Sequence, residues 1–135
     1  MGAELINDLT GEAVITDKAE RRYHVVFDLS AVMVVESMAG RSAMDILMGR
    51  PSATDCVAMI VGGCGGYSRR SPNAPKVTPK LAMRILEDSG GVLKLGPTLA
   101  ASMSCAEALG LRGDDEDSDD ADGEDDRGPL ASPPS

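Results

Sequence analysis

The chain has 135 residues, 42% of them hydrophobic, and a formal charge of -9, which suits one small domain and leaves no apolar stretch long enough to cross a bilayer. The acidity is local: residues 114–126 hold ten acids and no base, leaving residues 1–113 with 12 acids against 12 Lys and Arg. The folded part therefore carries no charge bias toward nucleic acid.

The division that follows is a domain over residues 1–110 and an acidic, Gly/Ser/Pro-rich tail over 111–135, with too little apolar surface to offset its ordering entropy. Tyr23, Phe27 and Tyr67 supply all the aromatic surface, so the core must be aliphatic with methionine as filler. Glu12–Asp17 reads as a first strand and Asp17–Glu20 as its turn, although the Asn-Gly or Asp-Gly of a tight hairpin is missing. Alternation over residues 21–28 places Tyr23, Val25 and Phe27 on one side of a second strand, with Arg22, His24, Val26 and Asp28 on the other.

After Asp28 the period becomes helical. Leu29, Val32, Met33 and Val35 are apolar, Asp28 is placed to cap, and Gly40 stops the helix. Ser42 to Asp45 has capping-box spacing for a short second helix with Ile46 and Leu47 inward, and Ser52 to Asp55 repeats that spacing after Pro51. Val57, Ile60, Val61 and Cys64 form the stripe of a third helix, which the glycines of 62–66 should loosen into a loop. Residues 67–77 read as a basic, proline-bearing exposed loop. Thr78-Pro79 opens a fourth helix with Leu81, Ala82, Ile85 and Leu86 inward, ended by Gly90-Gly91. Gly96-Pro97 then separates a short apolar run from a last helix carrying Leu99, Met103, Ala106 and Leu109. The sum is an α+β domain, an N-terminal β-hairpin followed by about five short helices.

Chemistry is scarce in this pattern. One histidine and three scattered cysteines match no zinc spacing, so no metal site, catalytic residue or cofactor site is expected. His24 reads as a solvent-facing strand residue, and Cys56, Cys64 and Cys105 as buried thiols of a reducing compartment. The glycine run lacks the lysine of a phosphate-binding loop and follows a helix instead of opening one. Arg69, Arg70 and Lys76 with Tyr67 read as a solvated loop in preference to a nucleic-acid contact or a contact with the chain's own acidic tail. Residues 1–12 carry early acids and no apolar run of signal-peptide length, and Ile6 stands where N-myristoylation at Gly2 would need Ser or Thr, so the expected location is the cytoplasm of a bacterial host, with no membrane partner. Met33, Met38, Met44, Met48, Met59, Met83 and Met103 are spread over the predicted helices and should be shared between core and surface.

A strand ending in F-D-L, the helix with V-V-E-S-M-A-G, the step R-S-A-M-D-I-L and the later T-P-K-L-A-M-R-I-L-E-D-S-G-G together give a pattern over residues 10–110. It resembles the tail assembly chaperone-like proteins of siphophages and gene transfer agents. The resemblance implies a non-enzymatic protein that coats helical segments of the tape measure protein and helps recruit tail tube subunits, with a homo-oligomer on the client as one arrangement. The surface it would use lies around Leu29, Val32, Met33, Met44, Leu47 and Met48. The alternative is a minor structural component retained in the finished tail.

Overall fold

The computed structural model describes residues 2–7 and 9–110; the tail from residue 111, with the disorder expected of it, lies outside the described residues. The α+β architecture is as expected. Strands β1 (Gly2–Asn7), β2 (Glu12–Thr16) and β3 (Arg22–Val25) form an antiparallel sheet in the order β1-β2-β3. Helices α1 (Leu29–Ala39), α2 (Ala43–Met48), α3 (Ala53–Arg70), α4 (Pro79–Asp88) and α5 (Val92–Ser104) follow, and a 3₁₀ turn at Glu107–Leu109 comes last.

The expected hairpin gains a strand. β1 pairs with β2 from Gly2↔Thr16 to Leu5↔Ala13, with a register shift before Asn7↔Glu12. That register puts Ala3 and Leu5 on the same face as Ala13, Ile15, Tyr23 and Val25, and the last four are buried. The β2–β3 turn is held by Asp17 in place of an Asn-Gly pair. Its carboxylate accepts from the N–H groups of Ala19 at 3.0 Å and Arg21 at 2.9 Å and from Arg21 Nε at 3.0 Å. Burial alone would push this carboxyl up, but the backbone N–H and guanidinium of Arg21 outweigh it and hold it below the usual range.

β3 stops at Val25, short of the expected 28, because the chain then turns onto α3: Val26 N–H donates to Gly63 O at 3.0 Å. Val26, expected on the outer face, is consequently buried with Phe27. Asp28 caps α1 through Ala31 N–H at 2.8 Å and takes two bonds from the Arg69 guanidinium at 3.0 and 2.6 Å. That guanidinium is the main reason the Asp28 carboxyl lies below its ordinary range. Both aspartates have folded-state values below their unfolded ones, so their stabilisation is complete above the unfolded value of about 4 and is lost as pH falls through the lower folded values. Urea midpoints should therefore be flat from about pH 7 to 5 and drop below about pH 4, and Asp17→Asn combined with Asp28→Asn should flatten that drop. An unchanged acid slope in the double variant would remove these two groups from the account.

Ser42 and Ser52 cap α2 and α3, accepting from Asp45 N–H and Asp55 N–H at 3.1 Å each. The reciprocal bond of a full box forms only at Ser52, from its N–H to Asp55 at 2.9 Å. At α2 the free Ala43 N–H goes to Glu36 Oε2 at 2.8 Å, which ties the end of α1 to the start of α2.

Two expected breaks are absent. α3 runs unbroken for 18 residues, so Tyr67 to Arg70 are helical and the exposed loop begins at Ser71. The glycines serve packing there: a Cβ on Gly62 would stand 2.8 Å from Ala31 O, one on Gly63 2.7 Å from Val25 Cβ, and one on Gly66 would overlap Val26 O. They let α3 lie directly on α1 and β3. Similarly, α5 passes through Gly96-Pro97 without interruption. Gly96 is buried against Pro51 and Cys56, and the carbonyl left without a donor by Pro97 belongs to Leu93, a residue 82% exposed. Ala106 and Leu109 belong to the terminal turn and its approach instead of to α5.

Candidate partner-binding surface

The helical wheel of α1 is apolar nearly all round, and packing decides which stripe is hidden. Ala31, Val32 and Val35 face inward. Leu29 and Met33, one turn apart, are left 61% and 59% exposed, with Val34 beside them. On α2, Ala43 and Ile46 are buried, Leu47 is half-buried, and Met44 and Met48 stand outward at another i, i+4 spacing, Met48 being 82% exposed. Of the six residues expected to form the surface, Leu29, Met33, Met44 and Met48 are thus accessible. Val32 is a correction: at 4% exposure it is a core residue. The methionines divide between roles, with Met59 and Met103 sealed in the core and Met33, Met44, Met48 and Met83 on the surface.

Two grooves flank this segment. The larger, about 650 Å³, opens at the start of α1 between Leu9, Leu29, Arg70 and the chain from Cys105 to Ala108, over a floor that includes Phe27. The smaller, about 280 Å³, lies just beyond α2 between Arg50, Pro51, Val92, Leu93 and Pro97. Sequence reading missed both, because each joins residues far apart in the chain.

His24 departs from its expected solvent-facing role. Its Nδ1 is 2.7 Å from Glu12 Oε2, and its ring stacks on Tyr67 with centroids 4.6 Å apart and planes 15° from parallel. The pair leaves each side chain about a quarter exposed, at 28% and 25%. A carboxylate on Nδ1 is how an imidazole is oriented as a base, and Cys64 lines the small recess beside it. That recess is about 20 Å³, room for a single water. Burial pushes the Cys64 thiol up to about 12, so it stays protonated at neutral pH. The cluster fastens the end of α3 to the sheet edge. Cys56 is buried like Cys64, whereas Cys105 is half-buried at the larger groove, in contrast to the buried thiol expected.

Among the described residues no group of His, Cys, Asp and Glu could hold a metal ion, and no helix is long and apolar enough to cross a membrane. Comparison with family models, curated proteins and solved structures finds no match to this chain.

Proposed function

We propose that this protein is a non-enzymatic assembly chaperone that holds helical segments of a tape measure protein and aids assembly of the tail tube around them. The observation that carries the reading is the pair of exposed apolar couples, Leu29 with Met33 and Met44 with Met48, on consecutive helices of a small domain. Large side chains held in water add nothing to the domain's own stability, and grouped on one segment they offer apolar surface that a partner's stripe can cover. Methionine adapts its shape at little cost, which suits a client whose apolar stripe varies along its length. A helix laid on such a surface is read through i, i+3, i+4 and i+7 anchors. The resemblance over residues 10–110 supplies the identity of that client, and the tail-protein reading rests on it.

The test is retention. Full-length protein immobilised through an added tag should capture tape measure fragments encoded near it in preference to scrambled helices of equal composition. Failure to hold any fragment would end the reading. Stoichiometric presence of the chain in purified particles would replace it with the structural role.

A further inference from the structure

The larger groove has two features that client binding leaves unused. The first is a spare cation: Arg69 is engaged by Asp28, whereas the Arg70 side chain on the groove wall has no acidic partner among the described residues. The second is the course of the chain. Ala106, Glu107 and Ala108 line this groove, and Gly110 turns in the left-handed region at φ 73° immediately after them. The sequence continues as Leu111-Arg-Gly-Asp-Asp-Glu-Asp117. Four residues span at most about 14 Å, so the acids that begin at Asp114 start within tether reach of Arg70.

We propose that the groove is the docking site of the chain's own segment 111–117, with Leu111 meeting the apolar wall of Leu9 and Leu29 and the carboxylates from Asp114 meeting Arg70. Docking at Leu29 makes this segment a tethered competitor for the start of the client surface, a consequence that rests on the client reading; the docking itself does not. Tethering replaces a bimolecular encounter by a local concentration in the millimolar range, so a weak contact suffices. Glu107, also on the lining, opposes it by like charge. The two groove residues thus act with opposite signs: removing Arg70 releases the segment, and neutralising Glu107 tightens it.

Backbone-amide and methyl NMR of the full-length chain reads this without any client. Arg70→Glu, and separately a variant with Asp114, Asp115, Glu116 and Asp117 changed to Asn or Gln, should shift the signals of Leu9, Leu29 and Ala108 in a common direction. About 0.5 M sodium chloride should shift them the same way, since an exposed pair is screened there. Glu107→Gln should move them the other way. Since Arg70 and Glu107 share the groove lining with Leu9, Leu29 and Ala108, the variant at 114–117 decides: unchanged groove signals in it would overturn the proposal, and so would shifts that grow with protein concentration, which would assign the contact to a second copy. A client that fails to bind leaves these outcomes untouched.

Discussion

Gly66→Ala should destabilise the domain by about 3 kcal/mol, which for a domain near 100 residues lowers the melting temperature on the order of 10–20 °C. In a helix interior the same change normally helps, because alanine loses less backbone freedom on folding, by up to about 1 kcal/mol. The sign reverses here because the added methyl falls on the carbonyl of Val26 and within 3.4 Å of Ala31 Cβ. Neither can swing aside, since one is backbone and the other a methyl fixed to the backbone of α1. The Val26 peptide is fixed by its own N–H bond to Gly63 O at 3.0 Å, so relieving the overlap means parting α3 from the sheet edge. One residue earlier, a Cβ on Gly65 meets only Arg69 Nη1 at 3.9 Å, and Gly65→Ala should be neutral or stabilising by up to about 1 kcal/mol. Urea unfolding of the two variants side by side decides the matter, and equal midpoints would show that the close approach of α3 is not what these glycines provide.

The same glycines show where sequence reading stopped. Caps were legible because they are local: Asp28, Ser42, Ser52 and Thr78 each bond an N–H three residues on. The glycine run was misjudged as a helix end because its purpose lies in residues 30 or more positions away, the backbone of Ala31 and Val26, and local propensity cannot register a partner. β1 was invisible for a related reason. Residues 2–7 have only Ala3 and Leu5 to turn inward, and their extended form depends on pairing with β2 and on packing beneath α5, where Thr98 Oγ1 donates to Ala3 O at 3.5 Å. On α1 the period was correct but its phase was not. With apolar residues at 29 and from 31 to 35, several stripes satisfy helical spacing equally, and the choice of Ala31, Val32 and Val35 was made by contact with α3, not by the helix itself.

That phase makes the second large effect testable within one helix. Leu29→Glu with Met33→Glu should weaken capture of a helical tape measure segment about hundredfold while leaving folding stability within about 0.5 kcal/mol. Both side chains are more than half exposed, so the fold buries little of them and loses little when they change; a glutamate at Leu29, the first residue of α1, also suits the positive end of the helix dipole. A bound client would cover them. Covering the 61% and 59% now exposed is worth that share of the roughly 1.5–3 kcal/mol for full burial of each side chain, about 2–3.5 kcal/mol for the pair, which centres on two decades of affinity. Replacing both by Gln separates the loss of apolar contact from added charge, since only the glutamates repel an acidic client. Val32→Ala supplies the opposite pattern: a 4% exposed residue whose truncation should cost about 1–3 kcal/mol of stability and leave client affinity unchanged. If the double glutamate variant binds as tightly as the parent, the client does not touch the outer stripe of α1. The exposed couple Met44 and Met48 on α2 would then have to carry the contact alone, and Met44→Glu with Met48→Glu should abolish capture.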